Sequence, residues 1–261
     1  MTTLSALLLG LLQGFTELFP ISSSGHLAIA QSLFGLGIPA NLLAFDVVLH
    51  AGSLAALVVC YFRIWWSIAL SPFRKDAQNI RLLILLIIAT IPGAVVGFFF
   101  QDFIEHVASS RMFIAVSFAI TGVILLLAER LPQRRERSSI GTLDAVAIGI
   151  AQACALVPGL SRSGLTIAAG RASHLTRRAA VDFSFLMAVP IIAGAVLLTF
   201  RHVLNGTAQL PPLPITLTGF CASFVASLLA ILFILRFVRS HSLAWFALWL
   251  FPLSLVLLLM K

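Results

Sequence analysis

Apolar residues dominate this chain, and the polar positions that interrupt them divide it into long runs and short ones. Six runs, at about 44–62, 82–100, 112–128, 181–199, 215–235 and 243–260, approach the roughly 20 apolar residues that a membrane-crossing helix needs. The run 4–19 is different. It reads as a helix, yet it carries Gln13 and Glu17, stops at Pro20 and is followed by Ser22, Ser23, Ser24 and Gly25. The serines supply N-cap chemistry for a second short helix, Gly25 to about Leu36. A dozen residues cover roughly 18 Å of a hydrocarbon core about 30 Å thick. Two half-length helices with a polar tip predict a re-entrant hairpin, which lipid permits only where protein or a water-filled cavity covers the tip.

The second half repeats the scheme. Setting Ser22-Ser23-Ser24-Gly25 against Ser161-Arg162-Ser163-Gly164 gives an offset of 139 that also pairs Gly10 with Gly149 and Gln13 with Gln152. At offset 136, Ala44-Phe45-Asp46 pairs with Ala180-Val181-Asp182. The expected architecture is therefore an all-α polytopic membrane protein of six transmembrane helices and two re-entrant helical hairpins. It forms a single integral membrane domain over 1–261, with repeat one at about 1–130 and repeat two at about 141–261. Three crossings per half is an odd number, so the second copy enters the membrane inverted, as in many transporter folds.

Composition agrees: 60% of residues are hydrophobic, 10% are charged and the mean hydropathy is +1.08. The net charge of +8 does not indicate nucleic acid, because the basic residues lie in short clusters between apolar runs. Loops expected to share one side hold Arg63, Arg74, Lys75, Arg81, Arg130, Arg134, Arg135, Arg137, Arg171, Arg177, Arg178, Arg236 and Arg239, against Arg111, Arg201 and Lys261 on the other. The positive-inside rule places the first group in the cytoplasm, so the two hairpins enter from opposite faces and their tips meet near the midplane. No Lys or Arg precedes Arg63, so the first run lacks the basic start of a signal peptide and is expected to stay in the mature chain. Cys60, Cys154 and Cys221 are far apart within apolar segments and read as packing residues.

Polar clusters at membrane depth are expensive and point to function. Gln13 and Glu17 are four apart and share a helix face, with Ser22 to Ser24 just beyond. The helix starts near Gly25 and Gly164 offer open N–H groups and the positive dipole end to an anion, and Arg162 adds a fork of donors suited to phosphate oxygens. Ser161, Ser163 and Thr166 line the same tip. In the repeat, Arg162 stands where Ser23 does and Leu156 where Glu17 does, so one half reads as reactive and the other as a phosphate clamp. Asp46 and His50, at i and i+4, read as an interhelical polar contact, Gly93 and Gly97 as helix packing, and His106, His174, His202 and His241 as solvated surface.

These residues carry a family resemblance. QGFTELFPISSSGH, from Gln13 to His26, is similar to the (E/Q)xxxE and serine-rich segment of the bacterial undecaprenyl-diphosphate phosphatases of the BacA/UppP type, and PGLSRSGLT, ending at Thr166, matches their PGxSRSxxT signature. The likeness extends over nearly the whole chain, including ATIPGAVVG, FSFLMAVP and RFVRSHSL. It implies an inner-membrane phosphatase that recycles the polyprenyl carrier of peptidoglycan synthesis, confers bacitracin resistance and opens its cavity outwards. Position by position, it makes Glu17 the essential acid, Ser23 the serine beside Ser22 and Ser24, His26 the histidine and Arg162 the phosphate-binding arginine. Gln13 stands where many members have Glu, so a divalent cation, Mg²⁺ or Ca²⁺, would have one carboxylate, Glu17, and one amide oxygen.

Either His26 or Glu17 is placed to activate Ser23, and His26 or a water is an alternative attacker; the residues alone do not rank them. The expected partners are a polyprenyl diphosphate substrate and membrane lipids, with no nucleic acid. Small residues on the spans are compatible with a homodimer. A transporter or flippase of lipid phosphate would use the same inverted-repeat anion site, and the grouping of Glu17, Ser23 and His26 is what favours hydrolysis, since a carrier needs no nucleophile with a base.

Overall fold

The computed structural model describes residues 1–35, 40–107 and 110–260, apart from the side chains at 40–43 and 100–107. The expected end of the second helix at about Leu36, the His106 side chain and Lys261 lie outside the described residues. The fold is all-helical. In order come α1 (Thr3–Leu18), α2 (Ser23–Leu33), α3 (Ala40–Cys60), α4 (Phe62–Arg74), α5 (Ala77–Val107), α6 (Arg111–Glu129), α7 (Thr142–Cys154), α8 (Arg162–Ala172), α9 (Arg177–Leu204), α10 (Leu213–Phe237) and α11 (Ala244–Leu259), with a 3₁₀ turn at Arg137–Ser139.

Among the described residues, four stretches are long and apolar enough to cross a membrane: Ala77–Phe99, Arg111–Glu129, Arg177–Leu204 and Leu213–Phe237. The span expected at 44–62 ends in a 73° bend between α3 and α4, and the pair would make a fifth crossing if taken together. At 16 residues, α11 is shorter than the expected sixth span. The sequence reading had no place for α4. Its thirteen residues carry Arg63 and Arg74 among exposed Phe62, Trp66 and Phe73, the pattern of a helix lying at a membrane surface.

Small residues set the packing. Without a hydrophobic drive between helices in lipid, close backbone approach and interhelical hydrogen bonds hold a bundle together. On α1, a Cβ at Gly14 would lie 2.5 Å from Ser223 O and 2.6 Å from Ala226 Cβ of α10. Ser227 Oγ of α10 donates to Gly14 O at 3.3 Å and lies 2.9 Å from Ser53 Oγ of α3, and Ser223 Oγ donates to Leu49 O at 2.6 Å. Small residues that would suit self-association are thus used within the chain. A matching contact joins α7 to α5, where a Cβ at Gly149 would lie 2.6 Å from Ala89 O and one at Gly93 would lie 3.0 Å from Gln152 Nε2. Replacing Gly14 by Ala is expected to destabilise the fold by about 1–3 kcal/mol, since α1 and α10 must separate; thermal unfolding in detergent measures it, and an unchanged midpoint would contradict this packing.

Buried Arg171 closes the other end of the bundle, donating from Nη1 and Nη2 to the carbonyls of Leu175 and Leu131. It ties the end of α8 to the loop after α6. The cysteines depart from expectation: Cys60, Cys154 and Cys221 are free and exposed instead of packed in the core.

Candidate active site

Two hairpin tips build the site. The first joins α1 to α2 across Pro20, and the second joins α7 to α8 across the turn before Ser161. Both helix starts are capped alike: Ser22 Oγ accepts from Gly25 N at 3.4 Å, and Ser161 Oγ from Gly164 N at 3.0 Å. The backbones differ. Ser161 is extended, whereas Ser22 sits at φ 71°, ψ 100°, a region that costs a non-glycine residue about 1–3 kcal/mol and persists where the surroundings enforce it.

Glu17, at the last turn of α1, is the centre of the arrangement. Its Oε1 accepts from Arg162 Nη2 in an ion pair that joins the two hairpins. Oε2 accepts from Ser23 Oγ at 2.6 Å and from Gln13 Nε2 at 3.1 Å, and lies 3.4 Å from His50 Nε2. A carboxylate with four such neighbours, itself buried, has its charge balanced within the protein. Ser163 Oγ adds a second bridge between the tips by donating to Phe19 O at 2.9 Å. Gly25 is fixed by space, because a Cβ there would strike the Phe118 ring of α6.

The sequence-identified residues fall into two groups. Glu17, Ser23, Arg162 and Gln13 meet directly, and Ser24 is exposed beside them with its Oγ 3.4 Å from Ser22 Oγ. His26 does not meet Ser23. Its Nδ1–H donates to Ser22 O at 2.7 Å, its Nε2 accepts from Trp249 Nε1 at 3.0 Å, and its ring leans on Phe118 with centroids 5.0 Å apart. Both nitrogens are occupied, the ring being a neutral Nδ1–H tautomer. Thr166 also points elsewhere: its hydroxyl donates to Arg162 O at 2.8 Å and pairs with Ser184 Oγ at 2.7 Å. Ser161 and Gly164 are engaged in the cap. In the first turns of α2 and α8, the N–H groups of Ser23, Ser24, Arg162 and Ser163 have no protein partner among the described residues, and such groups attract an anion.

Two polar atoms are conspicuously idle. Arg162 Nη1 and Gln13 Oε1 are buried and lack any partner. A buried donor or acceptor left in that state costs about 1–3 kcal/mol, so each is a place where a bound molecule would gain. The guanidinium thus holds Glu17 with one nitrogen and offers another to a ligand.

Two neighbours escaped the sequence reading. His50 does make an interhelical contact, but its partner is the site's own acid. Its Nδ1–H donates to Asp46 O at 2.7 Å, while the Asp46 carboxylate accepts from Gln31 Nε2 at 2.7 Å. The i, i+4 spacing signalled a polar face on α3 without saying what it faced. Trp249, from α11, sits in an apolar run with no motif around it, and nothing in the pattern marks it as the partner of His26.

Comparison with known proteins places the whole chain within one family. A family model described as bacitracin resistance protein BacA matches residues 6–256. The undecaprenyl-diphosphatase of Carboxydothermus hydrogenoformans is 37% identical over 264 residues, covering 100% of this chain and 98% of that protein. The undecaprenyl-diphosphatase of Rubrobacter xylanophilus is 40% identical over 259 residues, covering 96% and 95%. That of Thermodesulfovibrio yellowstonii is 37% identical over 256 residues, covering 98% and 96%.

Proposed function

The chain belongs to the BacA family, and on that footing we propose that it is an undecaprenyl-diphosphatase, a multi-pass membrane hydrolase that converts undecaprenyl diphosphate to the monophosphate and inorganic phosphate. The observation that carries the catalytic reading is the chain of contacts from Ser23 Oγ through Glu17 to Arg162, linking a nucleophile, a base and a phosphate ligand from two separate hairpins. Phosphoryl transfer is chiefly positioning and electrostatics, so a site of this kind needs little more.

On this reading the terminal phosphate takes the idle Arg162 Nη1 and the free N–H groups at the starts of α2 and α8. Glu17 takes the proton from Ser23 Oγ, which attacks the terminal phosphorus in line. The new bond is Ser23 O–P; the bond broken is the P–O bond to the bridging oxygen, which departs with undecaprenyl phosphate. Water then cleaves the phosphoserine and the proton returns to Ser23. Glu17 is favoured over His26 as the base because it already receives the serine proton bond, while both His26 nitrogens hold other partners. His26 is then a positioning residue, fixing the carbonyl of Ser22 at the hairpin tip.

The divalent cation expected from the resemblance, Mg²⁺ or Ca²⁺, finds few donors. Among the described residues no three His, Cys, Asp or Glu form a metal cluster. Gln13 Oε1 is unpaired and able to ligate, and Glu17 supplies a carboxylate already engaged by Arg162 and Ser23. Hard cations take six or more oxygens. Gln13 and Glu17 would therefore hold the ion together with the oxygens of the diphosphate, and when bound it neutralises phosphate charge.

The halves 1–130 and 141–261 are read as inverted copies, supported by the matched caps at Ser22 and Ser161, the matched burial of Gln13 and Gln152, and the matched close packing of Gly10 and Gly149. With the arginine-rich loops read as cytoplasmic, the catalytic site is read as opening towards the outer side of the inner membrane. Glu17 and Arg162 meet within one chain, so this reading needs no second copy.

Phosphate release from undecaprenyl diphosphate by the purified protein, with and without EDTA, tests the function. Replacing Ser23 by Ala is expected to lower kcat by at least about 10². Near-normal turnover by that variant would remove the serine nucleophile, and no release by the wild type under any metal condition would remove the phosphatase.

A further inference from the structure

Away from the hairpins, a cavity of about 590 Å³ opens where the arginine-bearing loops gather, between the ends of α3 and α10 and the starts of α5 and α9. Tyr61, Asn79, Arg81, Arg137, Arg178 and Asp182 supply most of its polar wall, and Gln78, Glu136 and Ser138 complete it. None of them belongs to the catalytic site.

The charges of this wall do not cancel. Asp182 is fully engaged, accepting from Tyr61 Oη at 2.7 Å and from Arg178 Nε at 2.8 Å. Arg178 also donates from Nη1 to Leu235 O at 3.1 Å, which pins its guanidinium in place. Arg81 is committed to the loop beyond α6, donating to Ser138 O at 3.1 Å and Ile140 O at 2.6 Å. Arg135 holds the same loop through Asp144 and Ser139 O. The loop is thus fixed from two sides, and what it presents to the cavity is Arg137, half-buried and with no side-chain hydrogen bond or ion pair among the described residues. Glu136, the other carboxylate of the wall, is exposed and directs Oε2 to Thr176 Oγ1 at 3.4 Å.

Position indicates which anion would reach it. Tyr61 and Ile64 bring the start of α4 into the wall, and α4 turns 73° from α3 with exposed aromatic residues and arginines. Such a helix lies at headgroup level, so the mouth of the cavity opens where lipid phosphates are concentrated. Guanidinium forks match phosphate oxygens in shape and charge, and basic pockets between transmembrane helices take anionic headgroups.

We propose that this cavity is a second phosphate-binding site, separate from the catalytic one, in which Arg137 and Arg178 hold the phosphate of an anionic lipid headgroup or a free phosphate ion. The amide of Gln78 and the hydroxyl of Ser138 are further donors within the same wall.

Cys60 provides the test, since it lines the cavity and is exposed. In a variant carrying Cys154→Ala and Cys221→Ala, the rate of labelling by uncharged N-ethylmaleimide is measured in phosphatidylcholine nanodiscs, with phosphatidylglycerol added to the lipid or inorganic phosphate added to the buffer. Protection of at least about fivefold by either is expected, and which of the two protects identifies the source of the phosphate. Arg137→Gln should abolish the protection while keeping phosphate release, which shows that the fold is intact; Arg239→Gln, at an exposed position outside the cavity, should retain it. Protection by neither anion, or protection that survives Arg137→Gln, would overturn the proposal.

Discussion

Glu17→Gln is expected to lower kcat for phosphate release by about 10³, within the 10²–10⁴ range typical of a lost general base, without raising KM. Gln keeps the size of the side chain and an oxygen near Ser23, so the change isolates the negative charge. Two consequences follow from the geometry. The serine proton loses its acceptor, since among the described residues Glu17 Oε2 is the only carboxylate oxygen bonded to Ser23 Oγ. Arg162 loses its counter-charge and is released towards substrate, so binding holds or improves while the chemical step fails. Removing one partner of a buried pair also destabilises a fold by about 3–5 kcal/mol, less here because Arg162 retains some exposure. Thermal unfolding of the variant, measured with and without substrate, separates a folding defect from a catalytic one. A kcat within tenfold of wild type, in a variant that remains folded, would show that Glu17 is not the base.

The sequence revealed the broad architecture because lipid imposes strict rules. Long apolar runs must be helices, and the early stop at Pro20 with three serines behind it made the first run stand out. Pairing Ser22 with Ser161 also anticipated two helix caps of the same kind. Other features were hidden by the nature of the signal. A surface helix such as α4 is neither long nor uniformly apolar, so its arginines read as loop charges. The position of α11 was visible, but its sixteen-residue length depends on where Leu243 and Met260 cap it.

Site chemistry was legible where it is local and obscure where it is tertiary. Gln13 and Glu17 on one helix face is a local statement, and the hydrogen bond between them follows. His26 shows the opposite case. It lies three residues after Ser23, closer to the serine in sequence than Glu17 is, yet Trp249 from α11 occupies the nitrogen that would have served as a base. His50, 33 positions from Glu17, reaches it only because α3 packs against α1. The strained backbone of Ser22 belongs to the same class: nothing in a run of three serines says which one will take a positive φ, and here it places a carbonyl within reach of His26 Nδ1.

Arg162 is where the two hairpins depend on each other, and its replacement should be the second most damaging change. Removing a preorganised donor to a developing anion costs about 10²–10³ in rate, and Arg162→Ala removes both the nitrogen that holds Glu17 and the one that is free for phosphate. A loss of about 10³ in kcat/KM is therefore expected, with KM rising, in contrast to Glu17→Gln. Arg162→Lys keeps the charge but cannot hold a carboxylate and a phosphate in one planar fork, so it should restore the ion pair without restoring phosphate binding. Its thermal stability should then approach wild type while its kcat/KM stays at least about tenfold low. The double variant Glu17→Gln, Arg162→Ala completes the cycle. If the residues act as one unit, its activity should lie close to that of the worse single variant, far above the product of the two separate losses. Strict multiplicativity would mean that each hairpin works independently, and the shared ion pair between them would then be a structural contact only.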